Sequence, residues 1–147
     1  FQKLVEIAPS PSLPAPLREQ ITQAALRMAR AVGYQGLGTF EFLVDEASPD
    51  LPWVFIEANA RLQVEHTVTE EVTGHDLVKC QILVASGAQL ADPRIGLGDQ
   101  DSIRLTGHAI QCRVTTENPA NQFLPDYGVK FLPLTFGRLQ RKFTFFF

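Results

Sequence analysis

The sequence lacks the marks of several protein classes. It holds two cysteines, Cys80 and Cys112, far apart and without metal-ligand spacing. That pattern excludes a disulfide framework and predicts a reducing, cytoplasmic setting, mitochondrial only in a eukaryotic source. Lys and Arg are dispersed rather than clustered, and the net charge is −3. The basic footprint that nucleic acid requires is therefore missing. No apolar run approaches a membrane span, and no signal-peptide pattern opens the chain. The three histidines, His66, His75 and His108, share no metal spacing and read as structural. There is no internal repeat and no low-complexity segment. Nucleic acid and membrane are both excluded as partners.

What is present suits a globular domain. At 147 residues the chain fits one domain or part of a larger one. Apolar residues make up 45% and charged ones 20%, enough hydrophobic surface to offset chain entropy. Both ends read as cut: Phe1-Gln2-Lys3-Leu4-Val5 opens inside a strand-like pattern, and Phe143-Thr144-Phe145-Phe146-Phe147 is an aromatic run that suits no solvated terminus.

Residues 8–16 hold four prolines and two serines, so they form a connection. A helix is predicted over 16–32, where Leu17, Ile21, Ala24, Ala25, Met28 and Val32 recur at three- and four-residue spacing. Pro16 suits its first turn and Gly33 its C-terminal cap. Residues 36–44 alternate as a strand, with Phe40, Phe42 and Val44 on one side and Thr39, Glu41 and Leu43 on the other. The polar stretch 45–52 is a turn, and a strand over 53–58 returns from it as a hairpin. A second helix is predicted over 75–86, a loop over 91–105 and a strand over 107–115. The fold class is α+β, with helices on an antiparallel sheet.

Chemistry concentrates in Glu57-Ala58-Asn59-Ala60-Arg61-Leu62-Gln63-Val64-Glu65. If the backbone stays extended, Glu57, Asn59, Arg61, Gln63 and Glu65 share one face. A solvated amphipathic strand gives the same alternation. Two features favour a site: amide side chains stand between opposite charges, and the segment follows Trp53-Val54-Phe55-Ile56, a run apolar enough for an interior. Hairpin pairing brings Glu41 beside Glu57. Two close carboxylates repel unless a cation lies between them or one takes a proton. A hard divalent ion such as magnesium suits oxygen ligands and commonly bridges nucleotide phosphates. The alternative leaves one glutamate exposed and the other paired with an arginine. Arg61 with Gln63 suits capture of a small planar oxyanion. Glu65 is then a base beside it, or only the neutraliser of Arg61. Arg113, with Gln111 on its face, is a charge donor to a reacting oxygen or a rim residue.

Four blocks in order carry a resemblance: Gln2-Lys3-Leu4-Val5-Glu6-Ile7-Ala8-Pro9, Gly36-Leu37-Gly38-Thr39-Phe40-Glu41-Phe42-Leu43, Phe55-Ile56-Glu57-Ala58-Asn59-Ala60-Arg61-Leu62-Gln63-Val64-Glu65-His66 and Gly107-His108-Ala109-Ile110-Gln111-Cys112-Arg113. Together they resemble the biotin carboxylase domain of the ATP-grasp superfamily. Over His66 to Gly74 and Gln111 to Glu117 they look most like pyruvate carboxylases, with acyl-CoA carboxylases close. The resemblance implies that Glu41 and Glu57 hold magnesium or manganese on ATP, with Asn59 close by, and that Lys3 lies near the nucleotide. It implies that Arg61, Gln63 and the backbone of Val64 bind bicarbonate. Glu65 would deprotonate it for attack on the γ-phosphate, forming carboxyphosphate. Arg113 would stabilise the negative oxygen that develops on biotin, which rides on a carrier domain. A homodimer is implied for the full enzyme.

The resemblance covers residues 1–130, read as part of that domain, and fades beyond Gly128, leaving 131–147 as a divergent tail. Phe1 stands where the family often has histidine, 45–52 is longer than in compact bacterial enzymes, and the family's Gly-rich phosphate loop has no counterpart here. The chain alone is therefore expected to be inactive. Another ATP-grasp ligase and a non-catalytic or degenerate structural segment are the competing readings.

Overall fold

The computed structural model describes residues 3–50, 52–113 and 117–125. Strand β1 (Val5–Ala8) leads to helix α1 (Ala15–Ala31), the hairpin of β2 (Thr39–Val44) and β3 (Trp53–Asn59), helices α2 (His66–Thr73) and α3 (Leu77–Ala85), and strand β4 (Ala109–Cys112). Two short strands, β5 (Glu117–Asn118) and β6 (Leu124–Pro125), follow. The α+β expectation holds. Among the described residues, however, the strands form three two-stranded antiparallel ladders, β1–β4, β2–β3 and β5–β6, rather than one sheet.

Local chemistry sets the helix ends. Pro16 enters α1 in its first turn, where a missing N–H costs nothing. Gly33 leaves it at φ 58, and the N–H groups of Gly33 and Tyr34 donate back to Arg30 and Ala29 at 3.1 and 3.0 Å, closing the orphan carbonyls. Leu17 and Ala24 of the predicted stripe are buried, whereas Val32, at the very end, is 76% exposed. The Asp76 carboxylate accepts the Lys79 N–H at 2.8 Å and caps α3. That cap starts the helix two residues later than the apolar pattern predicts.

Helix α2 was not legible as a helix. His66-Thr67-Val68-Thr69-Glu70-Glu71-Val72-Thr73 is rich in β-branched residues of modest helix propensity. Packing decides its state: Thr67, Val68 and Val72 are buried, and α2 rests on β1 and β4. Gly74 ends it at φ 74 and donates to the Glu70 carbonyl at 2.8 Å. Glu70 also accepts the Leu77 N–H at 2.7 Å, which joins α2 to α3.

The hairpin closes through an Asp45 N–H to Pro52 carbonyl bond of 2.9 Å. Its register pairs Glu41 with Glu57, then skips to Phe42 with Phe55. Ile56 is left over as a bulge, which bends the ladder beside the carboxylates. The Phe42 ring meets Trp53 and Phe55 edge-on, with centroids 5.5 and 5.7 Å away. The expected interior run over 53–56 is corrected: Val54, Phe55 and Ile56 are exposed at 60%, 44% and 47%. A two-stranded ladder has no third layer to cover its second face. Of the predicted strand over 107–115, Ala109–Cys112 form β4, and residues 114 and 115 lie outside the described residues, as do Phe1, Gln2 and the tail 131–147.

Candidate functional site

The site grows from the β2–β3 ladder. Glu41 and Glu57 are direct cross-strand partners, so antiparallel pairing sends both carboxylates to one face. The Asn59 Nδ2 amide reaches back along β3 and donates to both, at 2.8 Å to Glu57 Oε1 and 3.3 Å to Glu41 Oε1. The other Glu41 oxygen receives the Lys3 ammonium at 2.6 Å. Lys3 thus comes from the entrance to β1 to meet an acid 38 positions later. Glu57 is exposed and Glu41 half-buried, so the bland alternative is met in part, with lysine rather than arginine as the partner.

The Lys3 hydrogen bond holds the Glu41 carboxyl below its ordinary range, against the opposing effect of burial. The Lys3 charge, a Gln63 hydrogen bond and the Arg61 charge act in the same direction. The Lys3 ammonium also lies 4.0 Å from Glu65 Oε1. Lys3, Glu41, Glu57, Asn59, Gln63 and Glu65 therefore form one electrostatically connected group.

Beyond Asn59 the expected extended face does not continue. The Arg61 N–H turns back to the Asn59 carbonyl at 2.9 Å and the His66 N–H to the Gln63 carbonyl at 3.2 Å, so 60–65 is a folded loop. The loop still gathers its polar residues: Arg61, Gln63 and Glu65 line a cleft of about 410 Å³ together with Phe40 and Phe42. The Arg61 guanidinium is exposed and donates to the Leu62 carbonyl at 3.1 Å. Gln63 Oε1 is enclosed without a hydrogen-bond partner among the described residues, a geometry that calls for a donor. Val64 sits half-buried in the turn, and Glu65 occupies the position before α2 without capping it.

Arg113 joins through the main chain: its N–H donates to the Leu4 carbonyl at 2.8 Å, next to Lys3. His66, read as structural, proves to be part of the cleft wall. Its Nδ1 lies 2.7 Å from the Gln63 carbonyl and its Nε2 3.9 Å from Glu70. Its place directly after Glu65 is the only sequence signal for that fastening role.

The donor set fits a hard divalent cation. Two facing carboxylates offer oxygens, and rotation of the Asn59 amide by half a turn would offer a third. Among the described residues no three His, Cys, Asp or Glu side chains converge, which leaves a two-acid site of the sparse kind that magnesium accepts.

Residues 1–92 match the family model "Carbamoyl-phosphate synthase L chain, ATP binding domain". The chain belongs to that family. Within it, the chain is 59% identical over 127 residues to pyruvate carboxylase 1 of Caenorhabditis elegans, covering 86% of this chain and 10% of that one. The complete multifunctional pyruvate carboxylase of Rhizobium etli superposes with a TM-score of 0.79 at 50% identity, over 86% of this chain and 12% of its own. The biotin carboxylase domain of a thermophilic 2-oxoglutarate carboxylase, bound to bicarbonate, superposes at 0.72 with 44% identity, over 84% of this chain and 26% of its own. The resemblance to biotin carboxylase segments is borne out. The chain spans about a tenth of the length of the curated pyruvate carboxylases it matches. No helix among the described residues is long and apolar enough to cross a membrane.

Proposed function

We propose that residues 1–130 form part of a biotin carboxylase domain, with 131–147 as a divergent tail. In this reading the chain contributes to carboxylation of carrier-bound biotin by bicarbonate, driven by ATP, in a homodimeric enzyme of the cytoplasm or mitochondrion. One observation carries it: the Glu41–Glu57 pair bound by one Asn59 amide, alongside a cleft walled by Arg61, Gln63 and Glu65. The bicarbonate named with the 2-oxoglutarate carboxylase relative supports a one-carbon anion in that cleft.

Glu41 and Glu57 would hold magnesium or manganese, with Asn59 as a third oxygen donor. The ion supplies neutralisation of phosphate charge when bound. Lys3 faces the nucleotide from the same side. The Arg61 fork, the Gln63 amide and the Val64 N–H hold bicarbonate, whose planar oxygens match a guanidinium. Glu65 takes the bicarbonate proton, so that its oxygen attacks the γ-phosphorus of ATP while ADP leaves and carboxyphosphate forms. Arg113 stabilises negative charge that develops on the acceptor oxygen.

The test is bicarbonate-dependent ATP cleavage by the longest polypeptide that carries these residues, wild type and Glu65→Gln. A general base contributes roughly 10²–10⁴-fold, and a loss of that order is expected. An unchanged rate would end the assignment of Glu65. ATP cleavage without stimulation by free biotin would point to another ATP-grasp ligase.

A further inference from the structure

We propose that Lys3 is a resident counter-ion that stands in for the divalent cation at Glu41 and transfers to Glu65 when the cation arrives. The inference rests on the metal reading above and extends it to how the site is kept while empty of its ion.

The geometry is asymmetric. The Lys3 ammonium contacts Glu41 Oε2 at 2.6 Å, a full charge-assisted hydrogen bond, and Glu65 Oε1 at 4.0 Å, within charge range only. The remaining Glu41 oxygen is taken by Asn59 Nδ2 at 3.3 Å. Each Glu41 oxygen thus already receives a donor from this chain. A divalent ion shared by Glu41 and Glu57 competes with the ammonium for Glu41, because two cations close together on one carboxylate repel.

Lys3 has room to move. Its side chain is 53% exposed, against 15% for Glu41 and 22% for Glu65, and a lysine stem is long and rotatable. The nearest alternative acid is Glu65, the residue that the reading above makes a base. Displacement from Glu41 therefore brings a positive charge onto Glu65, and the carboxylate that handles the one-carbon anion feels occupancy of the metal position. Lys3 acts as a positioning residue in this scheme, coupling the two acids.

The experiment is binding of free Mn²⁺, without nucleotide, to the full chain, followed by the loss of the free-ion electron paramagnetic resonance signal. Four proteins are compared: wild type, Lys3→Met, Lys3→Arg and Glu41→Gln, each first shown to keep the wild-type circular dichroism. Lys3→Met removes the competitor and should tighten Mn²⁺ roughly two- to fivefold, the scale of a partly exposed ion pair. Lys3→Arg keeps the charge in a two-pronged form and should bind Mn²⁺ no better than wild type. Glu41→Gln should weaken it. If Glu41→Gln weakens binding but Lys3→Met leaves it unchanged or weaker, the exchange is wrong while the metal site stands. If Glu41→Gln changes nothing, the metal reading itself fails. Should Lys3→Met not fold, Lys3→Arg binding Mn²⁺ more tightly than wild type would overturn the exchange by itself.

Discussion

Thr67 of α2 donates a buried hydrogen bond to Gln111 of β4, across 44 positions of sequence. It joins the helix that follows the candidate loop to the strand that Arg113 directly follows. Gln111 is 5% exposed, and among the described residues its Nε2 is enclosed without a partner while its Oε1 accepts from the Thr67 hydroxyl. Thr67→Val should cost about 1–3 kcal/mol, the penalty for leaving a buried polar group unpaired. Adding Gln111→Leu should recover most of that, since both polar partners are then gone. Urea denaturation of the four proteins of this cycle checks it; a double variant less stable than Thr67→Val alone rejects the account.

Such long-range links separate what the sequence discloses from what it hides. Helix α1 was legible because its stripe, Pro16 and Gly33 agree at three levels of local chemistry. The hairpin was legible because two apolar runs flank a polar turn, and its pairing brought Glu41 to Glu57 as expected. Helix α2 was hidden because its β-branched residues argue against a helix, while burial of Val68 and Val72 against β1 and β4 argues for one. The loop 60–65 was misread as extended because its alternation is genuine, yet the Arg61 and His66 N–H groups fold it. No spacing rule could couple Lys3 to Glu41, since only the tertiary fold brings the residue that precedes β1 to a side chain of β2. The family motifs nevertheless marked the group, because they record which residues gather rather than how the backbone gathers them.

Asn59 tests the metal position from the other side. Asn59→Asp replaces the amide donor shared by Glu41 and Glu57 with a third carboxylate. Without divalent ions the variant should lose about 1–3 kcal/mol, through two lost hydrogen bonds and added repulsion. With millimolar Mg²⁺ present its melting temperature should rise more than that of wild type, because ligands that bind the folded state stabilise it by mass action. Scanning calorimetry with and without Mg²⁺ reads both effects. A Mg²⁺ response no larger than wild type would remove Asn59 from the ion's surroundings.

Gly74 isolates a backbone effect. A Cβ there would meet nothing within 4 Å, so packing does not oppose a side chain. Its φ of 74 does, because a left-handed backbone crowds Cβ against the carbonyl. Gly74→Ala should destabilise the chain by about 1 kcal/mol, and Gly74→Asn by less, since Asn tolerates this conformation. Equal losses in thermal melts would show that the end of α2 matters through something other than φ.

Asp92 and Arg94 give the clearest pH signature. The Arg94 fork donates Nε to Oδ1 at 3.0 Å and Nη2 to Oδ2 at 2.7 Å, and its main-chain N–H adds a third bond at 2.9 Å. Those donors lower the Asp92 carboxyl from 3.8 to about 2. A depressed acid favours the folded form above its ordinary range, and the benefit disappears as pH falls from 3.8 towards 2. At pH 3 the native Asp92 should still be ionised. Carbon-13 titration of the side-chain carboxyl should show a midpoint near 2 in wild type, and Arg94→Met should move it back up towards 3.8. A wild-type midpoint already near 3.8 would mean that the fork in this exposed loop does not persist in solution.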